Sequence, residues 1–156
     1  MATLHTIARL VAHVDLVPEL ANWFKTEWPN WYGPAGSGIA ENDLLAYANA
    51  GSLPVGVVAF RDGEPCGVAA LKAEFIPSHA HLKPWVAAGF VKPSLRGHGI
   101  GAQLLAALEQ EARNLGFSYI YCGTSTAKSL LQRRGWRLIE DINHDGKGLG
   151  IYQKTL

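Results

Sequence analysis

Two hydrophobic periods follow one another along the chain, and their succession predicts its elements. Residues 3 to 11 alternate loosely between apolar and polar and predict a first strand. Leu16, Leu20, Phe24 and Trp28 then recur every four residues, with Val17 and Trp23 widening the stripe, which predicts a packed helix capped by Asp15 and stopped by Pro29. Asn30 to Ser37 reads as a loop carrying Trp31 and Tyr32, and a short helix over about 40 to 50 follows, closed by Gly51. Val55 to Phe60 and Cys66 to Phe75 predict two strands joined at Asp62-Gly63, a dipeptide suited to the positive φ angles of a tight hairpin. Ile76 to Pro84 is a loop holding His79 and His81.

Val86 to Val91 is continuously apolar and predicts a fully buried strand, with Gly89 marking a bulge that would splay the sheet. Ile100, Leu104, Leu105, Leu108 and Leu115 define one face of a helix ended by Gly116. Ser118 to Cys122 follows as a short strand, parallel to Val86 to Val91 because a helix crosses between them. Thr126 or Ser125 is the expected cap of a further helix through Arg134; strands at 136 to 142 and 149 to 155 flank a turn at Asn143-His144-Asp145-Gly146. The order β-α-α-β-β-β-α-β-α-β-β is a mixed α/β arrangement, expected as one domain over residues 1 to 156.

Composition narrows the function classes. A hydrophobic content of 48% argues against disorder, and 14 Lys+Arg against 13 Asp+Glu leave a net charge of +1, with no bulk field for nucleic acid or an anionic membrane. Met1 to Leu20 is broken by Asp15, Pro18 and Glu19 and does not read as a signal peptide or membrane span, so a cytoplasmic protein is expected. Cys66 and Cys122 lie in apolar strands and are expected to remain buried thiols. His79 and His81 form an H-x-H pair without a third ligand nearby, and no metal is expected.

Candidate chemistry concentrates at Lys92-Pro93-Ser94-Leu95-Arg96-Gly97-His98-Gly99-Ile100-Gly101, between an apolar strand and a helix. Glycines let bare backbone approach a ligand, and a helix start offers unpaired N–H groups and a positive dipole end, so the stretch predicts an anion site. A nucleotide-hydrolase phosphate loop would close on Gly-Lys-Ser/Thr, whereas Gly101 is followed by Ala102-Gln103. Gly97, Gly99 and Ala102 satisfy the dinucleotide pattern G-x-G-x-x-G/A. Residues 92 to 96, however, separate it from the strand, and the next strand ends Tyr121-Cys122-Gly123 without an acid. The third pattern, Arg/Gln-x-x-Gly-x-Gly/Ala, is matched by Arg96 to Gly101 at every fixed position.

That third match resembles the acetyl-coenzyme A loop of the GNAT-type N-acetyltransferases, and the order of elements is similar to the GNAT fold. The resemblance implies a central mixed sheet of about seven strands, splayed at the fourth and flanked by about four helices. It implies acetyl-coenzyme A as cosubstrate and no metal. Loop amides would hold the pyrophosphate while the preceding strand lies along the pantetheine arm, which points to Phe90, Val91, Arg96, Gly97, His98, Gly99, Ile100, Gly101 and Ala102. The family's stretch Asn-x-x-Ala-x-x-x-Tyr-x-x-x-Gly-Phe is represented by Thr124, Ala127, Leu131, Gly135 and Trp136. Thr124 and Lys128 thereby join the coenzyme candidates, with Arg133 a further basic one. Leu131 replaces the tyrosine that in many relatives protonates the leaving thiolate, which leaves the general acid open.

Attack of an amine on a thioester needs a neutral amine, a polarised carbonyl and a route for protons. No acid lies on Val86 to Val91, so Glu74 on the neighbouring strand is the candidate base, with a surface pair to Lys72 as the alternative. Tyr121, Tyr152 and Ser125 are proton-donor candidates, and Trp31 and Tyr32 are candidates for a substrate wall. The function expected is acetyl transfer to a primary amine of a small molecule or peptide, with homodimerisation common in the family. A non-catalytic acyl-coenzyme A sensor and a dinucleotide-binding protein are the alternatives.

Overall fold

The computed structural model describes residues 5–144 and 146–156; residues 3 and 4 of the expected first strand and Asp145 of the expected last turn lie outside them. The elements are β1 (His5–Arg9), α1 (Val17–Glu27), α2 (Pro29–Tyr32), α3 (Ala40–Tyr47), β2 (Val55–Arg61), β3 (Glu64–Lys72), β4 (Trp85–Val91), α4 (Ile100–Asn114), β5 (Tyr119–Thr124), α5 (Lys128–Arg133), β6 (Arg137–His144) and β7 (Lys147–Thr155). The strands form one seven-stranded sheet in the order β1-β2-β3-β4-β5-β7-β6. The pairing of β4 with β5 is parallel, as a crossover through α4 requires, and the remaining neighbours are antiparallel. No helix among the described residues is long and apolar enough to cross a membrane.

The sheet opens at β4. Its pairing with β5 consists of two rungs, Trp85↔Tyr121 and Val86↔Cys122, beyond which the strands part. On the other edge of β4, Ala70 pairs with Ala87 and Val68 with Phe90, so Ala88 and Gly89 together face Ala69. This is a bulge at the expected place, but its left-handed residue is Ala88 (φ 54°), not Gly89. The bulge turns the strand, and the lost neighbour uncovers it. Trp85 and Phe90 are buried while Val86 to Gly89 are not, which corrects the expectation of a fully buried strand.

Alternation along the strands sorts side chains between two faces. On one face α4 packs Ile100, Leu104, Leu105 and Leu108 onto Val57, Ala69, Leu71 and Cys122. Gly67 permits that approach, since a Cβ there would stand 3.1 Å from both Leu104 Cδ1 and the Phe90 carbonyl oxygen. On the opposite face α1 and α3 bury Leu20, Phe24, Leu44 and Tyr47 against Val58, Val68, Ala70 and Phe90. Across the opening, that face continues as a separate cluster of Ile76, Trp85, Tyr121 and Ile151. The gap between these two clusters is therefore a groove built into the sheet.

Several expected boundaries move. A 3-10 segment, Leu10–Leu16, precedes α1, which has Leu16 as its N-cap with no side-chain bond, so Asp15 is not the cap; Pro18 starts the helix instead. The expected loop after Pro29 begins with the single turn α2, which carries Trp31 and Tyr32 and raises the helices to five. Helix α3 ends at Tyr47, short of Gly51, and β3 ends at Lys72, leaving Glu74 beyond the strand. The turn into α5 is capped neither by Ser125 nor by Thr126, because Thr124 Oγ1 accepts the N–H groups of Thr126 (3.1 Å) and Ala127 (3.0 Å). At the hairpin, Asp62 and Gly63 take φ values of 50° and 84°, as the dipeptide predicted.

Candidate functional site

Positive φ is needed at two positions of the loop before α4, namely Gly97 (83°) and Gly99 (82°). A Cβ built on either would meet no described atom within 4 Å. Gly99 is the N-cap of α4 and its carbonyl accepts the first helical bond from Gln103 (3.1 Å), with no side chain capping the end and no acid in the first turn. The amides of Ile100, Gly101 and Ala102 thus start a helix without intrahelical acceptors, at its positive end. Gly101 stands where a Cβ would meet Leu130 Cδ2 at an ordinary 3.5 Å. Bare backbone, unpaired donors and uncompensated positive potential together suit an anionic diphosphate.

Arg96 ties this loop to the opened strand. Its Nε donates to the Val91 carbonyl (2.9 Å), its Nη2 donates to Glu27 Oε2 (3.3 Å), and its guanidinium lies over the Phe90 ring at 5.5 Å. The Val91 carbonyl therefore faces away from β3, whereas the Lys92 N–H bonds Cys66 on β3 (2.9 Å). Strand alternation then turns the Val91 N–H, and the Gly89 N–H before it, toward the opening, and turns Phe90 toward β3. His98 is exposed, with Nδ1 donating to the Leu95 carbonyl (3.0 Å).

An aromatic wall flanks the groove on the α1 side. Trp23 stacks on Phe90 at 5.4 Å, and Trp28 meets Phe90, Phe24 and Tyr32 at 6.4, 5.1 and 6.3 Å. Lys92 sits over the Trp23 ring (5.3 Å). Tyr32 donates to Asp43 Oδ2 (2.5 Å); burial and that hydrogen bond push its hydroxyl well above the ordinary tyrosine range, so it stays protonated. Trp31 is 54% exposed, its indole lying against Gly38. The helical spacing of Trp23 and Trp28 predicted core packing, and they do pack, but as the half-buried rim of a cluster centred on Phe90. Lys92, at the head of the candidate loop, reaches the wall through Trp23, and Glu27 reaches it through Arg96.

Glu74, two residues past the end of β3, is exposed next to Phe75, whose ring lies on Gly123, where a Cβ would stand 3.0 Å from Phe75 Cε1. Among the described residues Glu74 joins no ion pair, with Lys72 or any other partner. Thr124, Ser125, Lys128 and Tyr152 line a groove of about 410 Å³ past the end of β5. Arg133 is exposed further along α5. Tyr121 is buried and its hydroxyl accepts from Gln153 (3.0 Å); Leu131 is 1% exposed within the core beneath α4. His79 Nε2 pairs with Glu140 (3.0 Å) and its ring stacks on His81 at 5.9 Å. Among the described residues, no group of three or more His, Cys, Asp or Glu side chains could hold a metal ion. Both cysteines are buried free thiols, and burial pushes Cys122 up to about 12.

The sequence matches the model of the Acetyltransferase (GNAT) family over residues 17–136, and the chain belongs to that family. Solved structures share its fold. An aminoglycoside 6'-N-acetyltransferase complexed with coenzyme A superposes with a TM-score of 0.78 at 16% identity, 96% of each chain being covered. The aminoglycoside 6'-N-acetyltransferase from Enterococcus faecium gives 0.77 at 18% identity, again over 96% of each chain. The protein yncA from Salmonella typhimurium, solved with its cofactor acetyl-CoA, gives 0.71 at 20% identity over 99% of this chain and 94% of that one. No curated protein matches the sequence.

Proposed function

We propose that this protein transfers an acetyl group from acetyl-coenzyme A directly to a primary amine of a small molecule or peptide. The observation that carries the reading is the start of α4, where two side-chain-free left-handed glycines and an uncapped helix end meet beside a sheet that opens. Neighbours of the same fold bound to coenzyme A or acetyl-CoA support it. Aminoglycoside N-acetyltransferases among them support an amine acceptor. The tail of the β5 strand, Gly123-Thr124, carries no acid for a ribose, which weighs against a dinucleotide.

When bound, the cosubstrate supplies a thioester, and the chain's residues supply the rest. Gly97, Gly99, Arg96 and the first amides of α4 hold the diphosphate, and exposed His98, its Nδ1 bonded to Leu95, has Nε2 left to offer as a weaker contact. The edge of β4 at Gly89 and Val91 lies along the arm, and their outward N–H groups are the donors available to a carbonyl oxygen that gains charge in the transition state. Thr124 at the end of β5 and Lys128 at the start of α5 flank the arm. Glu74 accepts the ammonium proton through water, leaving a neutral amine to attack. Buried Leu131 has no proton to give. A thiol of pKa about 8.5 leaves readily as thiolate and can be protonated from water, so a dedicated acid is not required.

A second reading follows from Leu131: a non-catalytic acyl-coenzyme A sensor would also lack the tyrosine. Coenzyme A release in the presence of a mixed amine library separates the two, release marking the enzyme and binding without release the sensor. Titration calorimetry is expected to give about micromolar affinity for acetyl-coenzyme A. Binding of NAD instead would overturn the assignment. For the base, Glu74→Gln is expected to lower turnover about 100-fold or more at unchanged acetyl-coenzyme A affinity and unchanged melting temperature. Unchanged turnover from about pH 6 to pH 9 would remove Glu74 from the site.

A further inference from the structure

The opening between β4 and β5 has a closed end, and one large ring stands over it. The rungs Trp85↔Tyr121 and Val86↔Cys122 close it. Val86 and Cys122 turn to the α4 face and join the core there with Leu104 and Leu105. Alternation turns the next residue of each strand, Ala87 and Gly123, to the opposite face, beside Trp85 and Tyr121. One of these carries a methyl group and the other no side chain, so the sheet is bare where the strands begin to part. Phe75 lies over that place. A Cβ on Gly123 would stand 3.0 Å from Cε1 and 3.4 Å from Cδ1 of its ring, whose centroid is 5.8 Å from Trp85 and 6.4 Å from His144. Phe75 is 37% exposed and is not one of the side chains of the buried cluster of Ile76, Trp85, Tyr121 and Ile151 beside it.

We propose that Phe75 sets the length of the acyl group, closing the end of the acyl site so that acetyl fits and butyryl or longer chains do not. The inference rests on the acetyltransferase reading and names a specificity-determining residue for it. The arm enters at the loop before α4 and runs back along β4 from Val91 toward Val86, so its thioester end points at the closed end of the opening. Straight ahead, the two rungs join the strands. On the α4 face the core around Cys122 leaves no room. The remaining direction is the face of Ala87 and Gly123, and there an added methylene meets the rings of Phe75 and Trp85. Forcing extra methylenes against packed side chains displaces them at a cost. In the transfer itself the amine nitrogen bonds the carbonyl carbon, the C–S bond breaks with its electron pair left on sulfur, and the proton given up by the amine balances the thiolate. The alkyl end of the acyl group takes no part, so the room available to it decides which thioester is used.

The test is titration calorimetry of the full chain with coenzyme A and with its acetyl, butyryl and hexanoyl thioesters. Wild type is expected to bind butyryl-coenzyme A about 10-fold or more less tightly than acetyl-coenzyme A, in line with what methylenes are worth in an apolar pocket, and hexanoyl-coenzyme A less tightly still. Phe75→Ala is expected to bind the three thioesters alike while keeping the wild-type affinity for coenzyme A itself, which the loop before α4 supplies. Phe75→Leu, which keeps part of the apolar bulk, is expected to show an intermediate preference, and it carries the comparison if Phe75→Ala loses its melting transition. Equal wild-type affinity for acetyl- and butyryl-coenzyme A overturns the proposal, and so does an unchanged preference for acetyl in the folded variants. Either result leaves the acetyltransferase reading standing. Failure of wild type to bind any of the four compounds overturns that reading and the proposal with it.

Discussion

Arg96, in the loop before α4, pairs with Glu27 at the end of α1, its Nη2 standing 3.3 Å from Oε2 across 69 positions of sequence. The same guanidinium holds the Val91 carbonyl and covers Phe90, so loop, opened strand and aromatic wall meet on one side chain. Arg96→Ala is expected to weaken acetyl-coenzyme A binding by about 10- to 100-fold, the equivalent of one charge-assisted hydrogen-bonding group, as read by calorimetry. The exposed pair with Glu27 contributes about 1 kcal/mol or less to stability, so the melting temperature should move by no more than a few degrees. A large drop in melting temperature with intact binding would make Arg96 a structural tether and not a ligand for the diphosphate.

Gly99 and Gly101 differ in what a side chain would meet, and that difference gives a paired test. Gly99→Leu places its Cβ in open space but on a left-handed backbone, which costs about 1–2 kcal/mol and fills the volume facing the helix start. Acetyl-coenzyme A binding is expected to vanish in calorimetry while circular dichroism keeps the native spectrum. Gly101→Ala adds a methyl at ordinary contact distance from Leu130 and should bind as wild type does. Equal loss in both variants would mean that the loop is only structurally sensitive.

Cys122 forms the second of the two rungs that join β4 to β5, close to where the thioester would lie, yet burial pushes its thiol up to about 12. At neutral pH it stays protonated, and a protonated thiol is a poor nucleophile. Transfer is therefore expected to be direct, and Cys122→Ala to retain turnover, with a stability loss of about 1 kcal/mol for the small cavity left in the core. An acetyl-enzyme adduct seen by mass spectrometry in wild type and missing in Cys122→Ala would refute direct transfer.

The features legible in the sequence are those that a short window encodes. The glycine spacing at 97, 99 and 101 announced the left-handed turns and the helix start, and Asp62-Gly63 announced the hairpin. A continuous apolar run interrupted by Gly89 announced the bulge and the opening of the sheet, although the strain fell on Ala88. Features assembled from distant positions left no such trace. Glu27 looks like any solvated residue at a helix end until Arg96 arrives from the far side of the sheet. Thr124 was overlooked as a cap because the hydroxyls nearer the helix, on Ser125 and Thr126, have the same chemistry, and only the turn geometry decides which one reaches the amides. Glu74 read as a strand residue because apolar alternation runs to Phe75, whereas pairing with β4 stops at Lys72.

Glu109 is the clearest case of a residue with no local signal, lying on the apolar face of α4 at 1% exposure. It collects Arg134 through two bonds of 3.0 and 3.1 Å, Lys154 at 2.8 Å and the Trp136 indole at 3.2 Å, joining α4 to the start of β6 and to β7. Burial pushes its carboxyl up, but the hydrogen bonds from Arg134, Lys154 and Trp136, with the charge of Arg134, outweigh burial and hold it below the ordinary glutamate value of 4.5. Glu109→Gln leaves those two cations partly buried without a counter-charge, and such breakage costs about 3–5 kcal/mol, or a melting temperature lower by about 10 °C. The sign with pH follows from the lowered value. A carboxyl that ionises more easily folded than unfolded adds stability in full above the unfolded value near 4.5, and loses it as pH falls through the folded value. Urea unfolding of wild type and Glu109→Gln at a series of pH values should therefore show a gap that is constant near neutrality and narrows below pH 4.5. A gap that persists undiminished into acid would mean that Glu109 holds α4 by shape and neutral hydrogen bonding, and that its charge contributes nothing.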